Sequence, residues 1–125
     1  MLGSINIVAF VPAKDREKSR AFYEGVLGLR FVKDDGFATV MDANGIRVRI
    51  GTAPPDFKPA QFTILGWQVA DIDKMVAGLR SKGVQFERFG FFKQDELGVW
   101  TAPNGDKVAW FKDPDGNVLS VSQHV

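Results

Sequence analysis

An internal repeat constrains this chain more than any other feature of its sequence. The matched pairs are Val8 with Ile64, Val11 with Trp67, Asp15 with Asp71 and Ala21 with Ala77 at an offset of 56 residues, and Gly28 with Gly83 at 55. Repetition at this spacing in 125 residues predicts two similar modules in one domain, because each module alone has too little core.

The first module is predicted to be βαβββ. Residues 5–11 are apolar and β-branched and stop at Pro12, a pattern typical of a strand buried on both faces. Asp15 is the predicted N-cap of a helix that ends at Gly25 and Gly28, with a buried stripe formed by Ser19, Ala21, Phe22 and Val26. Strands at 29–34, 37–42 and 46–50 follow, separated by turns at 35–36 and 44–45.

The second module repeats this order with an extra strand. After a strand at 62–69, Asp71 is predicted to cap a helix that ends at Gly83 and buries Ile72, Met75, Val76 and Leu79. Strands are expected at 84–88, 98–102, 107–112 and 118–122, with turns at 104–105 and 115–116.

These elements define an α+β fold of two βαβββ modules, each a curved mixed sheet with one helix. We expect one domain over residues 1–125, with module 1 at about 4–50, a proline-containing linker at 51–61 and module 2 at about 62–123. Each sheet has a second apolar face that the other module or a partner chain must cover.

Composition excludes several classes of function. Sixteen basic residues balance fifteen acidic ones, so no basic stripe indicates nucleic acid or a membrane surface as a partner. No cysteine is present, which excludes thiol nucleophiles and Cys-ligated metals, and His124 is the single histidine. With no signal peptide and no apolar run of membrane-spanning length, we expect a cytoplasmic protein.

Three segments carry a family likeness. They are residues 7–29 with Phe22-Tyr23 and Leu27-Gly28-Leu29, the second copy from 64 to 73, and Asp113-Pro114-Asp115-Gly116-Asn117. Together they resemble the vicinal oxygen chelate superfamily, which includes glyoxalase I, extradiol dioxygenases and the fosfomycin and bleomycin resistance proteins. The resemblance implies that the modules curl into an open, barrel-like cleft around a divalent metal.

The metal-ligand positions of that family are substituted in this chain. They fall on Val8, Ile64, Ser120 and either Arg49 or, in a shifted register, Arg47. Aliphatic side chains have no lone pairs to donate, and a guanidinium repels a cation. We therefore expect no metal ion and no cofactor.

Metal-free relatives, typified by the bleomycin resistance proteins, bind a small molecule between the modules of a dimer. Strand alternation and aromatic stacking identify the candidate ligand-binding residues as Val8, Phe10, Arg49, Ile64, Gln68, Trp100, Trp110, Ser120 and Ser122. The alternative is that these side chains fill a core or a subunit seam. Gly66, Ser120 and Ser122 favour a cleft, because small residues leave volume open.

Two further choices stay open in the sequence. Arg49 either clamps an anionic group of the ligand or pairs with a neighbouring aspartate on a solvent-exposed face. Four residues qualify as general acid–base candidates, each with a structural alternative, and none is assigned a catalytic role: Tyr23, Asp95, Glu96 and His124. The sequence favours a homodimeric, non-enzymatic small-molecule binder; the alternative is a metal-independent or unusually liganded lyase, isomerase or dioxygenase.

Overall fold

The sequence repeat corresponds to two four-stranded sheets. A computed structural model describes residues 1–125 as two units, Met1–Lys58 and Pro59–Val125, each with its own sheet and helix. The boundary lies inside the predicted linker. The α+β class and the two βαβββ modules are confirmed.

The first unit consists of β1 (Val8–Ala13), α1 (Arg16–Arg20), a π-helical segment (Ala21–Val26), β2 (Arg30–Asp34), β3 (Ala38–Ala43) and β4 (Ile46–Thr52). The strand order is β1-β4-β3-β2, and only the β1–β4 pair is parallel. The core is formed by Val11, Ala13, Tyr23, Met41, Val48 and Ile50.

The first helix begins as predicted but buries different residues. The carboxylate of Asp15 accepts hydrogen bonds from the backbone N–H groups of Glu17 and Lys18, as an N-cap should. The helix then widens, and the N–H of Leu27 donates to the carbonyl of Phe22, five residues back. The buried side chains are therefore Ser19 and Tyr23, whereas Ala21 is exposed and Phe22 and Val26 are only half-buried.

The prediction that the first strand is buried on both faces is wrong. Val8 and Phe10 are 43% and 71% exposed, while Val11 and Ala13, on the opposite face, are buried. Pro12 lies inside this strand, which is possible because β1 is at the edge of its sheet. β1 is thus covered on one face only.

The second unit contains β5 (Thr63–Gln68), α2 (Ile72–Ser81), β6 (Trp100–Thr101), β7 (Lys107–Lys112) and β8 (Val118–Gln123). Its strand order, β5-β8-β7-β6, matches that of the first unit. Asp71 caps α2 by accepting from the N–H of Lys74. The core is formed by Ile72, Val76, Ala109, Phe111, Leu119 and Val121.

Two details differ from the sequence prediction. The extra strand at 84–88 is absent, and only Phe86 makes an isolated bridge, to Phe111. Met75 is 42% exposed, although Ile72, Val76 and Leu79 of the same predicted stripe are buried. The helix is therefore covered over a narrower arc than its apolar pattern predicts.

The turn at 113–117 is fixed by its first and last residues. The buried Asp113 carboxylate accepts hydrogen bonds from the backbone N–H of Asp115 and from both the backbone and side-chain N–H groups of Asn117. Gly116 has φ +85°, a conformation that favours glycine. This part of the family motif has a structural role.

None of the helices combines the length and hydrophobicity that a membrane crossing requires.

Candidate functional site

One surface of the first sheet combines apolar and cationic side chains. Val8 and Phe10 of β1 are in register with Arg47 and Arg49 of β4, and all four lie on the face opposite the buried Val48 and Ile50. We call the surface formed by Val8, Phe10, Arg47 and Arg49 the first open face. Both arginines share it, as expected for residues two apart in a strand.

Each arginine on the first open face is paired with an aspartate. Arg49 donates to Asp35 at 2.7 Å, and Arg47 donates to Asp42 at 2.7 Å. Asp35 also accepts from the backbone N–H groups of Phe37 and Ala38, and the guanidinium of Arg49 with these N–H groups holds the pKa of Asp35 far below its ordinary value of 3.8. Arg49 is therefore anchored by a neighbouring aspartate, the second of the two roles considered for it from the sequence.

A shallow cavity of about 360 Å³ lies beside Arg49. Its volume is within the range of small-molecule sites, which start at roughly 300 Å³. Its lining is mostly apolar, with Arg49 and Thr52 as the polar side chains, and includes Phe10, Pro12, Phe37, Ala38 and Gly51.

The second sheet carries the remaining candidate residues on its own uncovered surface. Ser120 is in register with Gly66 and Trp110, and Ser122 with Gln68 and Val108, which in turn pairs with Trp100. We call this surface the second open face, defined by Gly66, Gln68, Trp100, Val108, Trp110, Ser120 and Ser122. Ile64 lies at an irregularity in the pairing of β5, outside these two rows, and is half-buried.

Five aromatic rings cluster on this face: Phe89, Phe91, Phe92, Trp100 and Trp110. The ring of Phe92 stacks parallel to Trp110 at a centroid distance of 5.0 Å and lies 4.7 Å from Trp100. Phe91 is 79% exposed and contacts Phe92 at 4.6 Å. The adjacent aromatics therefore divide, Phe92 against the tryptophans of the sheet and Phe91 toward solvent.

A divalent metal does not fit the positions that the family uses. Val8 and Ile64 are aliphatic, Arg49 is held in an ion pair, and the side chain of Ser120 is buried against Gly66. A Cβ at Gly66 would lie 2.7 Å from the Ser120 Oγ, so this hydroxyl fills the space that glycine leaves. No three of the chain's His, Asp and Glu side chains converge as metal ligands do.

Three of the acid–base candidates named from the sequence, Tyr23, Asp95 and Glu96, differ in burial and hydrogen bonding. Tyr23 is fully buried. Asp95 accepts hydrogen bonds from the N–H groups of Leu97 and Val99 and so fixes a turn. Glu96 is exposed, and its carbonyl accepts from Arg88.

The structure shows one polar arrangement that the sequence interpretation missed. His124, interpreted as part of a frayed terminus, lies between Ser122 and Asp106, with its Nε2 2.9 Å from the Ser122 Oγ and its Nδ1 2.8 Å from the Asp106 Oδ2. A signal was present: Ser122 and His124 are two residues apart in a strand pattern, which places them on the same face.

Known proteins share this fold and part of this sequence. A 28% identical relative over 103 residues, covering 81% of this chain and 67% of its own, is named a probable trivalent organoarsenical cleaving enzyme of Bacillus subtilis (strain 168). The antibiotic binding protein TnmS3 of Streptomyces sp. CB03234 has a similar structure, with a TM-score of 0.77, 25% identity and coverage of 100% of this chain and 99% of its own.

A member of the glyoxalase/bleomycin resistance protein/dioxygenase superfamily from Sphaerobacter thermophilus DSM 20745 superposes with a TM-score of 0.76 at 22% identity, covering 99% of this chain and 100% of its own. The model of that superfamily matches residues 4–121. Its match over nearly the whole sequence, together with the two βαβββ units, confirms the resemblance found in the sequence. The chain belongs to the glyoxalase/bleomycin resistance protein/dioxygenase superfamily.

Proposed function

We propose that this protein binds a small, partly apolar molecule without a metal ion and without changing it chemically. The observation that carries the proposal is the aromatic cluster on the second open face. Trp100 and Trp110 lie in the same two rows as Gln68 and Ser122, so flat apolar rings adjoin groups able to hydrogen bond. This combination is typical of small-molecule sites.

The first open face supports the same proposal. Its cavity combines Phe10 and Phe37 with one guanidinium, a composition suited to an apolar molecule with an anionic group. The similar structure of a protein named for antibiotic binding, at 25% identity over its length, also favours a binder.

A fluorescence titration tests the proposal. The probe is 8-anilinonaphthalene-1-sulfonate, a flat apolar molecule with one negative charge. We expect saturable binding at one site per chain, weakened about fivefold in Trp110→Leu, because a lost stacking contact of about 1 kcal/mol corresponds to about a factor of five in affinity. Dialysis against EDTA should leave the affinity unchanged.

The matched control is Phe62→Ala, which removes a 70% exposed ring outside both open faces. It should bind the probe like the wild-type protein, and near-ultraviolet circular dichroism should show native packing in all variants. Equal affinity in Trp110→Leu, or loss of binding after EDTA treatment, would contradict the proposal.

The alternative is a lyase, isomerase or dioxygenase with no metal or with unusual ligands. The name of the 28% identical relative is the observation that favours an enzyme. Soft ions and atoms bind best to thiolates, however, and this chain has no cysteine to offer an organoarsenical. The enzyme and the binder can be distinguished by chromatography of a ligand that has been bound and then released. An enzyme converts the ligand, whereas a binder returns it unchanged.

We also propose that two copies of the chain associate. Large apolar side chains of the first unit are exposed at Ile5, Ile7, Phe10 and Phe37. Exposed apolar surface is characteristic of protein interfaces.

A further inference from the structure

The side chains of Ser122, His124 and Asp106 form a continuous chain of hydrogen bonds. The Oγ of Ser122 lies 2.9 Å from the Nε2 of His124, and the Nδ1 of the same ring lies 2.8 Å from the Oδ2 of Asp106. The second carboxylate oxygen of Asp106 accepts from the backbone N–H of Val125 at 2.9 Å. All three side chains are within reach of solvent.

The β-hairpin of the second unit produces this alignment. Lys107 of β7 is in register with Gln123 of β8, which places Asp106 opposite His124 at the end of the same ladder. Ser122 and His124, two residues apart, point to the same side of β8. The order Ser–imidazole–carboxylate therefore follows from strand register.

The protonation pattern suits proton transfer. The hydrogen bond from the Val125 N–H, followed by that from His124, keeps the pKa of Asp106 below its ordinary value of 3.8, so this carboxylate is ionised at neutral pH. An ionised carboxylate only accepts hydrogen bonds, so Nδ1 carries the ring proton. With Nδ1 as the donor to this carboxylate, an unprotonated Nε2 is the ring atom placed to accept the Ser122 hydroxyl proton.

We propose that Ser122 is a nucleophile, activated by His124 and oriented through Asp106, that takes an acyl group from activated aryl esters. The Ser122 Oγ forms a bond to the carbonyl carbon while its proton passes to His124 Nε2. The ester bond breaks, and the aryl oxygen leaves with the electron pair and takes the proton from His124 Nε2, so that phenol is released and the imidazole is again a base. Water then attacks the acyl-serine, which releases the carboxylic acid and restores the hydroxyl.

The surroundings of Ser122 indicate an aromatic ester. Trp100 is in the same cross-strand row, and Trp110 is next to Ser122 on the diagonal of the adjacent strand. Gln68, in register with Ser122 on β5, is exposed and carries an amide N–H able to donate to a carbonyl oxygen. Acyl transfer goes beyond the proposed binding function and is confined to activated esters, whereas a ligand without such a group is bound and released unchanged.

The first test uses diisopropyl fluorophosphate, a probe with no aromatic ring. Its reaction forms an Oγ–P bond and releases fluoride and the hydroxyl proton. We expect one label per chain, located at Ser122 by peptide mass spectrometry and absent in Ser122→Ala. In His124→Gln, which keeps a hydrogen-bonding side chain but has no base, labelling should slow about 100-fold or more.

Ser81→Ala is the matched control, because the Ser81 hydroxyl donates to the carbonyl of Gly78 in α2 and belongs to neither open face. It should be labelled at the wild-type rate. The second test is a burst of 4-nitrophenolate from 4-nitrophenyl acetate, lost in Ser122→Ala. Absence of label in the wild-type protein, or equal labelling in His124→Gln, overturns the proposal, while the fluorescence titration is unaffected by either result.

Discussion

Single side chains on the two open faces are held by specific partners. Arg49 is fixed by Asp35, whose carboxylate is itself fixed by two backbone N–H groups at the start of β3. Ser120 is accommodated in a different way: its hydroxyl occupies the space beside Gly66, which has no side chain. The sequence identified Arg49 and Ser120 as candidates, but their partners depend on strand register and were not visible in it.

The ion pair at Arg49 predicts a titration change at Asp35. The carboxylate pKa lies below its ordinary value because Arg49 and the two N–H groups stabilise the charged form, so this contribution to stability is present at neutral pH. It is lost as the pH falls below about 3.8, through the depressed pKa of the folded protein. Arg49→Gln should raise the Asp35 pKa, measured by NMR of the carboxyl carbon.

Arg47→Gln is the control for that experiment. Arg47 lies on the same face but pairs with Asp42, so its replacement should leave the titration of Asp35 where it was. An unchanged Asp35 pKa in Arg49→Gln would show that the ion pair does not form in solution.

Gly66 predicts a second change at the scale of one residue. Alanine there would bring its Cβ to 2.7 Å from the Ser120 Oγ and 3.3 Å from the Ser120 carbonyl oxygen. Overpacking of this kind costs roughly 1–3 kcal/mol, which urea denaturation of Gly66→Ala should show. Ser120→Ala in the same chain should recover part of this loss, because it removes the closer atom.

Gly78→Ala provides the comparison. This glycine lies in α2 with no atom within 4 Å of its added Cβ, so alanine should stabilise the protein by about 0.5–1 kcal/mol. A Gly66→Ala protein as stable as the wild type would mean that the Ser120 hydroxyl does not fill the space beside Gly66.

Among the helices and strands, the sequence correctly predicted the features that depend on hydrogen bonds between residues close together in the chain. Both N-caps, Asp15 and Asp71, and the βαβββ succession of elements follow from capping residues, turns and periodicity, whereas the order of the strands within each sheet was not predicted. The strand predicted at 84–88 failed for a physical reason. Its neighbourhood is held by side-chain hydrogen bonds of Gln94, which sequence periodicity does not reveal.

Gln94 therefore controls the segment that carries Phe89, Phe91 and Phe92. Its carbonyl oxygen accepts from the Phe89 N–H, and its amide donates to the carbonyls of Glu87 and Gly98. Gln94→Leu should leave these backbone groups unpaired and cost about 1–3 kcal/mol. Hydrogen–deuterium exchange should show faster exchange at 86–99.

Gln85→Leu serves as the matched control, since Gln85 is exposed and makes none of these bonds. Its exchange pattern should match that of the wild-type protein. Protection at 86–99 that persists in Gln94→Leu would assign the order of this segment to the aromatic cluster alone.

At the scale of the whole molecule, the balanced charge and the exposed apolar side chains of the first unit both favour association. A net charge of +1 provides little electrostatic repulsion between copies. Native mass spectrometry should therefore show a species of twice 13.8 kDa. Phe10→Asp, which places a charge on a 71% exposed ring position, should shift the protein toward monomer, whereas Phe91→Asp should not.

The sequence predicted the function at this scale only in outline. The repeat and the motif at 113–117 identified the superfamily, and the residues at Val8, Ile64 and Ser120 removed the metal ligands. The array of Ser122, His124 and Asp106 needed the structure, because it joins residues 18 positions apart across a hairpin.

The widened turn of the first helix lies where the two copies of the repeat differ in length. The repeat runs at an offset of 56 residues up to Ala21 and at 55 from Gly28, so the first copy has one more residue than the second between these points. The π-helical segment Ala21–Val26 lies inside this interval, and a π-turn accommodates one additional residue without breaking the helix. The one-residue difference between the modules is therefore absorbed within the first helix, and the strands that follow keep the same order in both units.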